Sequence, residues 1–291
     1  MELIRIDEEK CTLCGLCIPD CVRGVLEEGE NAARVKNPAG CSLCGHCKAI
    51  CPVDAPELPT LDASEFVEAP HRENYPKPDL LLSIFRSRRS IRQFKNKTVE
   101  REKLEKIIEA GRFAPTGGNR QGLHYVVVNT PSKLSEVRAM NLDLLARQAE
   151  EIEEALDLQA RTGKPVPEEY EVRKVYTKRW KEMKTEMQEG IDKLFYHAPA
   201  LVALHINPAE STSAMVDAGL AGMQMVLMAD NLELGTCFCG FFVFAINTSP
   251  EFKKMLTIPE EHIVPLSFVV GYPAVEYERL VSRNPARVTW Y

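Results

Sequence analysis

Along most of this chain the apolar residues alternate between helical and strand periods. Leu81, Ile84 and Phe85 recur at helical spacing, which predicts a helix beginning near Asp79. Leu104, Ile107 and Ile108 share one face of a second helix over 100–111, with Gly111 as its C-cap. A turn-rich stretch, FAPTGGNRQG, leads into LHYVVVN (123–129), which is β-branched and reads as a largely buried strand. Residues 132–195 are long, charged and helical, and a break over 162–167 divides them into two helices with solvated faces. PALVALHI (199–206) reads as another buried strand. Residues 213–234 are small and apolar nearly all round, as in a helix buried on most sides, and Gly235 ends it. TCFCGFFVF and HIVPLSFVVG read as further strands. Residues 274–291 show no core pattern, so they read as a tail that packs on a partner subunit.

The first 55 residues follow another logic. Weak alternation at 2–6 and 32–36 predicts two short strands, and between and after them stand eight cysteines. The runs CTLCGLCIPDC and CSLCGHCKAICP each read C-x-x-C-x-x-C-x-x-x-C. Two-residue gaps let three thiolates converge from one tight loop. The fourth cysteine lies a helical turn further on and reaches a neighbouring centre. The spacing therefore assigns Cys11, Cys14, Cys17 and Cys51 to one [4Fe–4S] cluster and Cys21, Cys41, Cys44 and Cys47 to a second. Zinc prefers two separated pairs of ligands, which two identical quartets fit badly. Gly15 and Gly45 allow backbone N–H groups to approach cluster sulfur, and Pro52 stops the short helix. This segment resembles the two-cluster bacterial ferredoxins over residues 1–55. It has little apolar core, so its stability is expected to come mainly from its metal. Six prolines between 52 and 78 make residues 56–79 an extended, semi-stiff linker. A larger domain, 80–291, follows.

Charge narrows the function. The net charge is −6, which argues against a general nucleic-acid binder. Residues 1–60 hold six basic against ten acidic residues and so carry −4 of it, giving the cysteine-rich module an acidic surface. The apolar runs at 218–229 and 236–249 fall short of the roughly 20 residues of a membrane span. The N-terminus does not read as a signal peptide, so a reducing cytoplasmic setting is expected.

Four further stretches carry candidate chemistry. In RRSIRQF (88–94), Arg88, Ser90 and Arg92 alternate, so an extended backbone points all three one way. They either hold a phosphate or form a solvated basic run. APTGGNRQ (114–121) is either a turn or a loop whose glycines admit a flat ligand. LGTCFCGF (234–241) runs from a helix end into a strand, with Cys237 and Cys239 as small buried hydrophobes or as neighbours of a ring edge. GYP (271–273) is followed by a lone Arg283. No G-x-G-x-x-G, P-loop or H-E-x-x-H is present, and no residue stands out as a catalytic acid or base.

Taken in order, these stretches resemble the FMN-dependent nitroreductase family over residues 80–291, so the whole looks like a ferredoxin–nitroreductase fusion. The resemblance implies an α+β fold, with helices around a mostly antiparallel central sheet. It implies a homodimer with crossed C-terminal tails and FMN at the interface. By position, Arg88 and Ser90 would contact the phosphate and ribityl chain, Arg92 the pyrimidine edge, and Arg283 the phosphate again. Pro115, Thr116, Gly117 and Asn119 would line the ring from the other subunit. Gly240, with Cys239, would offer backbone donors near N5 and O4. Many members have Pro-Trp where this chain has Gly122–Leu123, and Cys-Trp-x-Gly where it has Cys237-Phe238-Cys239-Gly240.

The expected function is that of an FMN- and iron–sulfur-dependent oxidoreductase. The clusters relay single electrons to FMN, which reduces a nitroaromatic, quinone or enone-like acceptor by hydride transfer from N5. The donor is an external ferredoxin or NAD(P)H, and the 132–195 insert is a lid over the substrate. The alternative is a non-enzymatic electron carrier or redox sensor that stores electrons in the same groups.

Overall fold

The cysteine repeat is also a repeat of backbone conformation. In the computed structural model, which describes residues 2–291, Leu13 and Leu43 both adopt the left-handed region, at φ 56° and 53°. Gly15 and Gly45 do so at 72° and 76°, and Gly24 and Asp54 at 60° and 55°. These positions correspond pairwise in the two runs. Two loops of one sequence pattern therefore take one path. They are framed by two antiparallel ribbons. β1 (Arg5–Ile6) pairs with β4 (Pro56–Glu57), and β2 (Leu26–Glu27) pairs with β3 (Arg34–Val35). A one-turn helix, α1 (His46–Ala49), carries the second run towards Cys51.

This first unit runs to Lys77 and takes in Gly118–Arg120. It extends further than the composition indicates. Pro56 and Glu57 form a strand, Leu58 is buried, and Leu61 and Phe66 pack on the small core around Ile4, Val25 and Leu26. Proline is tolerated in β4 because that two-residue strand lies at an edge. The stretch expected as a linker thus begins as part of the module.

The second unit comprises Pro78–Gly117 and Gln121–Tyr291. Two amphipathic helices, α2 (Pro78–Ser87) and α3 (Arg101–Arg112), precede β5 (His124–Val128). α4 (Pro131–Thr162) and α5 (Glu168–Gln188) form the charged insert. α4 begins with Pro131 in its first turn and ends at Gly163, whose φ of 71° supplies the left-handed cap. Then come β6 (Ala200–Ile206), α6 (Ala214–Asn231), β7 (Gly235–Phe238), α7 (Gly240–Asn247), α8 (Pro250–Met255) and β8 (Ile263–Gly271). The sheet order is β5-β6-β8-β7, antiparallel throughout. All seven residues of β6 are buried, which explains an apolar run interrupted only by His205. Alternate residues serve two cores. Ala200, Val202 and Leu204 face the layer of α3 and α6, whereas Leu201 and Ala203 face α4, α5 and α7. The fold is α+β, as expected.

Three expectations change. The apolar run 236–244 is strand only to Phe238, and from Gly240 it is helix. A short continuous apolar run does not distinguish the two, and Gly240 marks the switch. α6 is not buried on most sides. Its Ala218, Ala221, Met225 and Ala229 are buried, but Met215, Val216, Leu220 and Met223 are 37–64 % exposed. β5 is not largely buried, because it lies at the sheet edge, where only its Val128 is buried and His124 is exposed. The insert packs into the fold, with Leu145, Ile152, Trp180 and Met183 buried in the larger core. Trp180 stacks on Phe244 at 5.1 Å and meets Phe241 edge-on at 5.9 Å. Among the described residues, no helix is long and apolar enough to cross a membrane.

Candidate functional site

The first unit contains a cavity of about 260 Å³ lined by Cys11, Cys14, Cys17 and Cys51 together with Gly15 and Ala55. The fourth cysteine of the second run therefore joins the first three of the first run, as the spacing requires. Burial pushes the Cys17 thiol pKa up, and its neighbours Cys51, Cys11 and Cys14 push it the same way. Burial likewise raises Cys47 to about 11, with Cys44 and Cys41 adding to the effect. Thiols so crowded and desolvated ionise only when cationic iron compensates them. Backbone N–H groups already point at sulfur. Val25 N donates to Cys21 Sγ at 3.4 Å and Ala55 N to Cys51 Sγ at 3.3 Å, equivalent bonds in the two repeats. Ala33 N donates to Cys11 Sγ at 3.5 Å. All ten cysteines are free of disulfides. Among the described residues, no three ligand side chains gather closely enough for a single metal ion. The donor set fits polynuclear clusters.

In the second unit the segment after α2 runs extended along β7. Ser90 bridges Thr236 in parallel, and Ile91 N donates to Thr236 O at 2.9 Å. Gly235 makes this approach possible, because a Cβ there would lie 2.5 Å from Ile91 Cγ1. Ile91 turns inward and is buried, and Ser90 and Arg92, on either side of it, lie near Cys237. Burial raises the Cys237 pKa and Arg92 opposes the rise. The Arg92 guanidinium carbon also lies 6.0 Å from the centre of the Tyr196 ring.

Sequence reasoning passed over Arg89. Its Nη1 donates to the carbonyls of Arg86 and Arg88, but Nε and Nη2 are buried without a hydrogen-bond partner. Buried guanidinium donors without an acceptor are costly, and an anion such as phosphate is the chemistry that completes them. The only sequence signal was the doubled Arg88-Arg89. Tyr196 was also missed, and nothing in its neighbourhood announced it.

The other expected positions are placed as follows. Thr116 Oγ1 accepts from Gln121 N at 3.0 Å, closing its own loop, and Pro115 is exposed. Gly117 N donates to the buried Asp217 at 3.0 Å, and a Cβ at Gly117 would collide with Thr212. Asn119 belongs to the first unit, where its amide donates to the Ser42 and Leu43 carbonyls. Cys239 does not match the donor role expected of it. Its N–H donates to Ser267 O at 2.9 Å, and its fully buried thiol donates to Cys237 O at 3.4 Å. Burial keeps that thiol protonated. Gly240 differs, because it is exposed at the start of α7 and a Cβ there would meet nothing within 4 Å. Arg283 lies in the exposed tail, with its guanidinium on the Ser282 carbonyl.

Comparison with known proteins decides the family. Residues 85–272 match the model of the nitroreductase family. The chain belongs to the nitroreductase family. Residues 3–52 match a 4Fe-4S dicluster domain, so this nitroreductase carries a ferredoxin-like module at its N-terminus. A 4-nitrobenzoate reductase of Nocardioides sp. is 23 % identical over 67 % of this chain and 81 % of its own length. A provisionally named NADH dehydrogenase/NAD(P)H nitroreductase of Archaeoglobus fulgidus is 36 % identical over 56 residues, and the match spans 19 % of this chain and 32 % of that relative. Among solved structures, a Desulfitobacterium hafniense nitroreductase with bound FMN matches at a TM-score of 0.52 and 25 % identity, over 72 % of this chain and 97 % of that one. Family and module together make the protein an oxidoreductase.

Proposed function

We propose that this nitroreductase is an FMN- and iron–sulfur-dependent enzyme that passes electrons to a small organic acceptor. The observation that carries the reading is the strand-like segment along β7. It brings Ser90 and Arg92 near Cys237, next to an Arg89 with buried, unpartnered donors. When bound, the clusters would carry single electrons, and FMN would collect two of them, with a proton, for release as hydride.

The chain's own residues then have separable tasks. Cys11, Cys14, Cys17 and Cys51 hold one [4Fe–4S] cluster, and Cys21, Cys41, Cys44 and Cys47 hold the other. Their N–H donors from Ala33, Val25 and Ala55 adjust the potential. Arg88, Arg89 and Ser90 hold the flavin phosphate and ribityl chain, with Arg283 as a further phosphate ligand. Arg92 faces the pyrimidine edge, and the Gly240 amide, at the positive end of α7, faces the ring near N5. Pro115, Thr116, Gly117 and Asn119 line the ring in a homodimer. That dimer is supported by the apolar faces a single chain leaves open. On α2, Leu80, Leu82 and Phe85 are 46–57 % exposed, and α6 and the tail show the same character.

The Nocardioides relative's name makes a nitroaromatic acid the first acceptor to test, with quinones and enones after it. The donor is tested by anaerobic optical titration of the full chain with NADH, NADPH and chemically reduced ferredoxin. Bleaching of cluster absorbance before the flavin band, with ferredoxin alone, supports entry through the clusters. Rapid bleaching of the flavin by a nicotinamide instead makes the flavin the entry point and the clusters the outlet. Absence of any flavin band refutes the reading.

A further inference from the structure

The two cysteine runs serve as controls for one another, because much of what surrounds one surrounds the other. Leu13 and Leu43, then Gly15 and Gly45, take the left-handed region in turn. Cys21 and Cys51 accept equivalent bonds from Val25 N and Ala55 N. One side chain breaks the repeat. Asn119 Nδ2 donates to Ser42 O at 3.0 Å and to Leu43 O at 3.1 Å, across 77 and 76 residues of sequence. Among the described residues, the corresponding carbonyls of Thr12 and Leu13 accept from no side chain.

Backbone conformation holds this clamp in place. Gly118 and Asn119 are both left-handed, at φ 65° and 55°, and asparagine is among the non-glycine residues that tolerate that region best. A Cβ at Gly118 would come within 3.1 Å of Arg23 Nη2, so the Arg23 side chain, two residues after Cys21, also reaches this segment. Cys21 and the 41–44 loop belong to one ligand set, that of the second cluster. In a planar trans peptide the C=O and N–H point in opposite directions. With the Ser42 and Leu43 carbonyls held on Asn119, the N–H groups of Leu43 and Cys44 are turned the other way, and neither has an acceptor among the described residues.

We propose that Asn119 is a positioning residue for the second cluster. By fixing the two peptide planes between Ser42 and Cys44, it aims the Leu43 and Cys44 N–H donors at cluster sulfur. This rests on the two-cluster reading above, and it is a task additional to the lining of the flavin ring given to Asn119 there. Donors aimed at sulfur stabilise the reduced, more negative cluster more than the oxidised one. Asn119 therefore raises the potential of the second cluster and leaves that of the first unchanged, a selectivity that a residue serving folding alone would not produce.

The test compares full-length wild type with Asn119→Gly, which removes the amide and keeps the left-handed backbone accessible, and with Asn119→Ala as a second variant. Iron and acid-labile sulfide are counted by chemical assay, and the two cluster potentials are measured by anaerobic spectroelectrochemistry with electron paramagnetic resonance. Cys44→Ser marks the wave that belongs to the second cluster. The expected result is full iron content and two waves in both variants. The reduced second cluster is destabilised relative to its oxidised form about tenfold, which lowers that one-electron potential by about 59 mV, and the first wave keeps its wild-type value. A second wave unmoved in both variants, or equal shifts of both waves, overturns the inference. Wild type that holds iron for only one cluster overturns the two-cluster reading itself and this inference with it. That failure is recognised because it appears before any substitution is made.

Discussion

The fate of single residues in this protein follows from where polar groups are left without partners. Arg89 Nε and Nη2 are buried and have no acceptor among the described residues, so an anion that completes them gains charge-assisted hydrogen bonds. Replacing Arg89 by Gln is predicted to weaken FMN binding by about 1.5–3 kcal/mol, roughly ten- to a hundredfold. Calorimetric titration of the flavin-depleted chain measures it, and unchanged affinity would remove Arg89 from the site. Cys239 is predicted to be replaceable by Ala with little effect on FMN affinity, because its N–H bond to Ser267 survives and its thiol is buried away from solvent. A large loss in the same titration would contradict that.

A second residue-scale case is His205. It is buried against His124 and His262, with its Nδ1 2.9 Å from that of His262. Burial lowers its pKa to about 4, and the electrostatic effect of His124 and His262 adds to the shift. The unfolded chain has an ordinary histidine pKa near 6.5. As pH falls below that, the unfolded state takes up a proton that the folded state refuses, so stability declines progressively down to about pH 4. Melting temperatures of wild type are predicted to fall over this window, and those of His205→Gln to fall less. Equal slopes would show that other groups govern the acid limb.

At the scale of elements, burial patterns explain both what the sequence made legible and what it hid. β5, β6 and β8 were readable because each carries a run of β-branched and other apolar residues bounded by turn residues. The insert's two helices were readable from period and from the Gly163 break. The 240–247 helix was hidden because eight nearly continuous apolar residues have no period to read. The aromatic wedge between insert and sheet was hidden for a different reason, since a single Trp180 in a charged stretch carries no pattern. It is nevertheless fully packed against Phe241 and Phe244. Trp180→Ala is predicted to destabilise the second unit by about 3–5 kcal/mol in denaturant unfolding. A loss under 1 kcal/mol would mean that the insert is not part of the core. The open face of α6 also belongs to this scale. Met223→Glu places a charge on a surface that a dimer would bury, so sedimentation analysis should show monomer where wild type shows dimer, with the melting temperature largely retained.

For the whole molecule, the eight cysteines were the most legible feature and the flavin pocket the least. The cysteine spacing alone predicted which four line one cavity, because tight loops and a short helix leave few ways for those side chains to point. The flavin residues were legible only as separate loose motifs. The fold unites the 88–92 segment with β7, whereas the Thr116 and Asn119 side chains bond within their own surroundings. In the proposed homodimer the second copy completes the pocket, and no single-chain pattern encodes that. The same contrast sets the account's central claim, that one chain carries both kinds of redox group. It is tested most directly by counting them in anaerobically purified full-length protein, with iron and acid-labile sulfide by chemical assay and flavin by extraction and absorbance. The account predicts about eight iron and eight sulfide per chain, together with one FMN. A preparation that holds the iron but binds no FMN, even when FMN is supplied in excess, would contradict it.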